Sequence, residues 1–251
     1  MPLLHDAARM DESDDRRMQR GATDAPGSAP RGSALRVAGA VAAFAALHSL
    51  LASRRAKGAA SRVAGERARA GWYRVLFNAQ AVAAFAALAV HARRLPDRTL
   101  YRATGALAGV LRTGQLAGLA VAALAVREVG LGRMAGTASL AAWARGARVV
   151  PPEPEAQGPA HDAGGMRASG PFAWTRHPLN LAPLPVLWLH PHMTANLATF
   201  NLAATLYLVL GSRHEERRLL AAHGADYAAY RRSGVPFYWP RRPALPPATA
   251  G

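Results

Sequence analysis

Long apolar blocks constrain this chain more than any other feature of its sequence. Stretches rich in Ala, Leu, Val and Gly alternate with short basic segments, and several lack the polar face that a helix on a soluble protein requires. A helix needs about 20 mostly apolar residues to cross a bilayer. We therefore predict an all-α, polytopic integral membrane bundle rather than a soluble Ala-rich helical protein. About five transmembrane helices are expected, near residues 35–52, 72–91, 103–126, 179–189 and 195–211.

The last two blocks form a predicted hairpin with ionisable residues at both ends. The first arm is short and contains Pro183 and Pro185, which predicts a kinked or partly inserted segment. A break at residues 190–194 separates the arms, so the chain should return to the membrane face that it left. Two charged clusters would then meet at that face: Arg176-His177-Pro178 and His214-Glu215-Glu216-Arg217-Arg218.

Polar and small residues inside two blocks predict how the helices pack. Arg74 and Asn78 are four residues apart and share a helix face, so we expect both to point into the bundle, away from hydrocarbon. Small residues spaced by four allow two helix backbones to approach closely. The third block has two such pairs, Gly105 with Gly109 and Gly114 with Gly118.

The charge balance is strongly basic, with 31 Lys and Arg against 15 Asp and Glu and a net charge of +16. These residues flank the apolar blocks and do not lie along one polar element with aromatics between them, so we predict membrane lipid as a partner and no nucleic acid. The positive-inside rule favours an external amino terminus, with residues 53–71, 127–177 and those after 212 in the cytoplasm. The loop at 92–102 is also basic, which weakens the bias.

Three segments are predicted along the chain. Residues 1–33 are expected to be disordered, residues 34–240 to form one membrane domain with its chemistry in 170–240, and residues 241–251 to be a flexible tail. Residues 127–150 are weakly amphipathic and predict an interfacial helix. The chain has no cysteine, which excludes a cysteine nucleophile and a thiolate metal site, and we predict no metal.

The two charged clusters have complementary chemistry. Arg176 offers a planar fork for a carboxylate, while Glu215 or Glu216 offers acceptors for an ammonium group or ribose hydroxyls. Pro178 can begin a helix, whose first amides also favour anions. This pairing suits the amino-acid end of S-adenosylmethionine. The alternative is that these are interfacial charges that border a hairpin and bind nothing.

An ordered set of motifs extends across both clusters. It comprises Gly170-Pro171-Phe172, Arg176-His177-Pro178-Leu179, Glu215-Glu216-Arg217-Arg218-Leu219, His223-Gly224, Tyr227, Tyr230 and Val235-Pro236. The set resembles the carboxy-terminal signature of the isoprenylcysteine carboxyl methyltransferase and phospholipid methyltransferase superfamily. Residues 47–53 and 73–78 are similar to the amino-terminal half of bacterial methanethiol S-methyltransferases and NnrU-type membrane proteins. The likeness covers about residues 35–240 and is weak at 127–165.

The resemblance implies an enzyme of the bacterial inner membrane that binds S-adenosylmethionine from the cytoplasm and methylates a small-molecule or lipid-like acceptor. A small thiol, a prenyl-type carboxylate and a lipid amine all remain open as acceptors. It also implies site residues. Arg176 and His177 are the catalytic candidates, and the cofactor-binding candidates are Arg176, His177, Asn180, Glu215, Glu216, Tyr227 and Tyr230.

One departure from the family pattern bears on activity. The family usually has a tyrosine at the position of Asn180, and an asparagine can hydrogen-bond but cannot provide an aromatic wall. His177 is expected to contact the cofactor rather than act as a base. Two alternatives stay open: a non-catalytic relative, and an NnrU-like haem protein or isomerase with axial ligands among His48, His91, His177, His190 and His192.

Overall fold

The computed structural model describes residues 31–151, 158–159, 161–162, 165–166 and 168–239. The predictions of a disordered segment at 1–33 and a flexible tail at 241–251 concern residues that, apart from 31–33, lie outside this part of the chain. Residue 31 already begins a helix. The elements in chain order are α1 (Arg31–Ala52), α2 (Arg54–Ala64), α3 (Glu66–Arg93), β1 (Thr99–Arg102), α4 (Gly105–Val129), α5 (Leu131–Ala135), α6 (Thr137–Ala144), β2 (His161–Asp162), β3 (Gly165–Met166), α7 (Pro178–Leu181), α8 (Pro183–Trp188), β4 (His192–Thr194) and α9 (Ala195–Arg232).

Four helices in the described part of the chain, α1, α3, α4 and α9, are long and apolar enough to cross a membrane. Their outward faces carry large apolar side chains, such as Val82, Leu116 and Leu206, that are more than half exposed. A soluble protein would bury such side chains, whereas a bilayer solvates them. The fold is therefore the predicted all-α membrane bundle.

The fourth expected span, 179–189, is not a continuous helix. The chain forms α7 and α8, of four and six residues, with Pro183 opening the second. A proline has no amide hydrogen for the preceding turn, which explains the break at this point. This irregular segment still traverses the bundle beside α9, because Asn180 contacts Ser212 near one end of the bundle and Asn201 donates to the Leu187 carbonyl farther along.

The hairpin turns at the opposite end of the bundle. There β4 pairs with β1 in an antiparallel two-stranded sheet, and Thr194 caps α9 by accepting a hydrogen bond from the Leu197 amide at 3.2 Å. The two charged clusters therefore lie at the same end of the molecule, as the hairpin predicted.

Close packing against α4 confirms one of the two glycine pairs. A Cβ on Gly118 would lie 2.7 Å from the Ala182 carbonyl oxygen, so only glycine allows the junction of α7 and α8 to approach α4 this closely. Among the described residues, no atom lies within 4 Å of a Cβ added to Gly105 or Gly109, so the close approach predicted for that pair is not found in this part of the chain. Gln115 of α4 stabilises the same contact, because its Nε2 donates a hydrogen bond to the Val186 carbonyl of α8 at 2.8 Å.

The polar pair on α3 points inward, as predicted. Arg74 Nε and Asn78 Nδ2 both donate to the Met134 carbonyl at 2.9 Å. That carbonyl belongs to α5, and Gly136, with φ +82°, ends α5 and begins α6. The expected interfacial helix at 127–150 is thus the end of α4 followed by two short helices, which α3 holds by polar bonds.

The longest helix, α9, extends beyond the hydrocarbon core. Its 38 residues would span about 57 Å if straight, roughly twice the thickness of the apolar layer. The helix kinks at Gly224, where φ is +49° and ψ is −118°, a conformation that favours glycine. Beyond the apolar half, Leu219, Tyr227 and Tyr230 form a small buried cluster.

Candidate active site

A short, anchored linker presents the first charged cluster. It begins with a 3₁₀ turn, Gly170–Ala173, whose Phe172 is fully buried against Ala125 and Val129 of α4. Ser169 Oγ donates to Glu128 of the same helix at 2.9 Å. Because α4 holds one end of the linker and α7 begins directly after it, the residues between them have little freedom.

The first half of α9 presents the second cluster. Glu215, Glu216 and Leu219 follow Ser212 by three, four and seven residues, which places all four on one side of the helix. Ser212 and Leu219 are buried, and the two glutamates are 13% exposed at their side chains. This side of α9 faces the linker and α7.

Arg176 and Glu216 form a direct ion pair. Arg176 Nε lies 2.7 Å from Glu216 Oε1, and the two side chains are 14% and 13% exposed. Arg176 Nη1 also donates to the Val235 carbonyl at 2.7 Å, and the Arg176 amide donates to Pro236 at 2.9 Å. The guanidinium lies 5.8 Å from the centre of the Phe237 ring. The chain after α9 thus folds back to close the cluster.

His177 lies between the two glutamates. Its Nδ1 is 3.4 Å from Glu215 Oε2, its Nε2 is 3.4 Å from Glu216 Oε1, and its side chain is fully buried. Burial lowers the pKa of the imidazole, but the two carboxylates raise it by more, so the pKa is above its usual value. A protonated imidazole has no free lone pair. The geometry therefore favours an imidazolium that holds the carboxylates in place over a general base.

Asn180 joins the cluster through hydrogen bonds. Its Nδ2 donates to Ser212 Oγ at 2.8 Å and to Glu215 Oε2 at 3.1 Å. Ser212 Oγ is in turn 2.7 Å from the hydroxyl of Tyr238, which donates to the Leu208 carbonyl at 3.0 Å. Asn180 thus connects Glu215 to a tyrosine from the chain after α9.

The two tyrosines of the motif, Tyr227 and Tyr230, pack beyond the cluster, in the part of α9 that follows Gly224. Tyr227 and Tyr230 are buried with Leu219, and the Tyr230 hydroxyl donates to the Phe172 carbonyl at 2.7 Å. The Tyr227 hydroxyl is buried without a hydrogen-bond partner among the described residues. Tyr230 therefore supports the linker that carries Arg176, and Tyr227 is the one of the two with a free polar atom.

Four residues at the site were not among the sequence predictions: Thr175, Ser212, Phe237 and Tyr238. Thr175 Oγ1 donates to the Phe237 carbonyl at 2.9 Å, and the Phe237 ring lies 4.7 Å from that of His177. Sequence signals were available for three of them, Ser212, Phe237 and Tyr238. Ser212 precedes Glu215 by three residues on α9, and the aromatic pair directly follows the Val235-Pro236 motif.

The histidines proposed as haem ligands divide between the two ends of the bundle. His190 lies just before β4 and His192 begins it, with His192 Nε2 3.0 Å from Thr99 Oγ1 of β1. His91 lies near the end of α3 that leads into β1. His48 and His177 lie toward the other end. Within the described residues, no group of three His, Cys, Asp or Glu side chains is arranged to hold a metal ion.

The fold and the site together define a helical membrane protein with a buried ionic cluster at one end. Over 79 residues the chain is 39% identical to a methanethiol S-methyltransferase of Mycobacterium tuberculosis. This alignment covers 31% of this chain and 32% of that protein. It is 47% identical over 66 residues to methanethiol S-methyltransferase 2 of Bradyrhizobium diazoefficiens, covering 26% and 25%. A third such enzyme, of Crocosphaera subtropica, is 36% identical over 69 residues, covering 28% and 27%.

These matches confirm the relationship to methanethiol S-methyltransferases that the motifs predicted, over part of the chain. The aligned region spans about a quarter to a third of the length of each of these curated relatives. No protein-family model and no solved structure matches the chain.

Proposed function

We propose that this protein is a membrane methyltransferase that uses S-adenosylmethionine and methylates a small, membrane-partitioned thiol. The observation that carries the proposal is the buried ionic cluster of Arg176, His177, Glu215 and Glu216 at one end of an apolar bundle. The activity after which the relatives are named supports methyl transfer to a thiol. The same relationship and the basic loops support an inner-membrane location with the cluster facing the cytoplasm.

The residues present fit the amino-acid end of the proposed methyl donor. Arg176 Nη2 has no hydrogen-bond partner among the described residues, while Nε and Nη1 are bound, so one arm of the fork is available to a carboxylate. Glu215 and Glu216 provide carboxylate oxygens for an ammonium group. Phe237 and Tyr238 provide aromatic surface beside His177, where Asn180 provides none. When bound, S-adenosylmethionine would supply a methyl group activated by its positive sulfonium.

The protein's own residues would contribute position and exclusion of water. Arg176 and Glu216 restrain each other, and His177 fixes both carboxylates, so the poles of the site exist before a ligand arrives. The chain at 235–238 covers the cluster from the aqueous side. The other side of the cluster is the apolar bundle, so an acceptor would reach the site directly from the bilayer.

Calorimetry on the detergent-solubilised full chain tests donor binding. We expect a heat of binding for S-adenosylmethionine in the unmutated protein and its loss in Arg176→Ala and Glu216→Gln. Arg217→Ala is the matched control, because Arg217 is an exposed neighbour on α9. Each variant is checked for a single peak in size exclusion. The absence of binding heat in unmutated protein would overturn the proposal.

Transfer itself is tested with membranes that contain the protein. Methyl-labelled S-adenosylmethionine is added with ethanethiol, with a prenylated cysteine analogue or with phosphatidylethanolamine, and the products are separated by mass. Label in the methyl thioether alone supports a thiol acceptor. Label in the methyl ester or in the lipid amine would show that the acceptor is a carboxylate or an amine, and the protein would still be a methyltransferase.

A further inference from the structure

A second polar site lies inside the bundle, where α1, α3 and α9 meet. The His48 ring of α1 is surrounded by aromatic rings from all three helices. Its centroid is 5.6 Å from that of Phe44, 4.7 Å from Phe77 and 6.3 Å from Tyr207. An imidazole in such surroundings needs a hydrogen-bond partner for each nitrogen to offset its lost hydration.

The nitrogen Nδ1 of His48 lacks that partner. It is buried and has no hydrogen-bond partner among the described residues. The neighbouring hydroxyls satisfy each other, since Ser49 Oγ lies 3.1 Å from the Tyr207 hydroxyl. A buried, unpaired acceptor costs about 1–3 kcal/mol. Such a cost is understandable where a ligand supplies the missing donor.

The site lies on the membrane side of the ionic cluster. Arg218, two residues beyond Glu216, donates to the Ala52 carbonyl at the end of α1 at 3.3 Å. His48 is one helical turn before Ala52, about 6 Å toward the bilayer, and Tyr207 is eight residues before Glu215, about 12 Å along α9. Along the helix axes, His48 is thus offset from the charged poles by roughly 10 Å toward the apolar part of the bundle, the side from which an apolar acceptor would approach.

Lipid can reach this part of α1 directly. Leu47 and Leu50, which flank His48 in sequence, are 42% and 62% exposed on the apolar surface. A small uncharged thiol partitions into hydrocarbon, and its S–H group is a weak donor with an apolar body. That chemistry matches a lone acceptor nitrogen within aromatic rings.

We propose that His48 binds the acceptor thiol and takes its proton during methyl transfer. The inference rests on the proposed function, and it gives the role of base to His48 instead of His177, whose nitrogens both face carboxylates. The charged and titratable groups that face the His48 ring are Arg74 from α3 and Tyr207 from α9. Arg74, a fixed positive charge, favours the thiolate and disfavours the imidazolium, so the proton would pass on to water after transfer.

The S–H bond of the thiol breaks and its proton passes to the neutral imidazole of His48. The electron pair left on sulfur forms the new S–CH₃ bond while the bond between that methyl group and the donor's sulfonium breaks. The products are a methyl thioether, the neutral demethylated donor and an imidazolium, which later gives its proton to water.

The first test compares His48→Gln with the unmutated protein in the labelled-methyl assay with ethanethiol. General base catalysis contributes about 10²- to 10⁴-fold, so we expect kcat to fall at least about 100-fold while S-adenosylmethionine still binds. The pKa of the thiol is about 8.5 or higher. At pH values below this pKa, the rate of the His48→Gln variant should rise about tenfold per pH unit, because the variant depends on thiolate that forms in solution. The unmutated rate should rise less steeply. His91→Gln, at the other end of the bundle, is the control and should retain full activity.

The second test measures thiol binding without turnover. Calorimetry with ethanethiol should give a heat of binding in unmutated protein, little heat in His48→Gln, and an intermediate heat in Tyr207→Phe, which keeps the imidazole. Transfer by His48→Gln with an unchanged rate and pH profile would overturn the role of His48 while the methyltransferase proposal stands. Binding that depends on His48 without any methyl transfer would support the thiol site and overturn the proposed function. If neither transfer nor thiol binding is found in unmutated protein, both are overturned.

Discussion

The ion pair between Arg176 and Glu216 gives the sharpest test of how the site is built. Their 2.7 Å contact is nearly buried, with 14% and 13% of the side chains exposed. Removing one partner from a buried pair costs about 3–5 kcal/mol, because the other charge is left without compensation. Three features place the expected cost near the lower end, at about 3 kcal/mol: the residual exposure, the second bond from Arg176 to Val235, and the further cations His177 and Arg231 at 3.4 and 3.8 Å from Glu216.

A double-mutant cycle measures this coupling. In a chain of this size 1 kcal/mol shifts Tm by about 2–4 °C, so Arg176→Met and Glu216→Leu should each lower Tm by about 6–12 °C. Replacing both residues removes both charges together, and the double variant should be no less stable than either single variant. The expected coupling is at least about 2 kcal/mol.

The assay is thermal unfolding of the four proteins in one detergent at one pH, followed by intrinsic fluorescence. Arg217→Ala is measured beside them and should change Tm little, because its side chain is exposed. Additivity of the two single effects to within about 0.5 kcal/mol would refute the reasoning, since it would mean that the two side chains act independently.

Three further predictions follow from the same contacts. Because the pKa of His177 is raised in the folded protein, the stability that its charged form contributes is complete below pH 6.5, its ordinary pKa, and is lost as the pH rises through the raised pKa. The Tm of the unmutated protein should therefore fall more between about pH 6 and pH 9 than the Tm of His177→Gln. Equal losses would contradict this. Gly118→Val should cost about 1–3 kcal/mol in unfolding measurements because its Cβ meets a backbone carbonyl at 2.7 Å, whereas Gly109→Val, with open space, should be nearly neutral; a reversed order would contradict the packing. Tyr238→Phe removes the hydrogen bond to Ser212 at 2.7 Å and should cost about 1 kcal/mol and weaken S-adenosylmethionine binding in calorimetry, and unchanged values of both would show that the tail does not support the site.

Features with a local physical cause could be predicted from the sequence. The apolar blocks predicted the helices, and the four-residue spacing of Arg74 and Asn78 predicted an inward face that the structure confirms. Pro183 and Pro185 predicted a kinked or partly inserted first arm of the hairpin, and the helix of that arm is interrupted at Pro183. In each case the relevant interaction lies within a few turns of one helix, or with the surrounding solvent, so sequence spacing is sufficient.

The closing of the site could not be predicted in the same way. Arg176 binds the carbonyl of Val235, and a backbone acceptor has no side-chain signature. The connection from Asn180 through Ser212 to Tyr238 joins three separate segments, and no periodicity relates them. The sequence therefore predicted the charged poles, but not the tail that covers them.

The return of residues 235–238 to Arg176 has a consequence for the order in which the protein is made. This segment follows α9 in the chain, so the four long apolar helices of the described residues leave the ribosome before Arg176 obtains its carbonyl partners. Until then the guanidinium and the two carboxylates of α9 remain hydrated. Hydrated charges resist entry into hydrocarbon and so hold both ends of the newly inserted hairpin at one membrane surface. The contacts of residues 235–238 with Arg176 can thus form only after α9 has been synthesised.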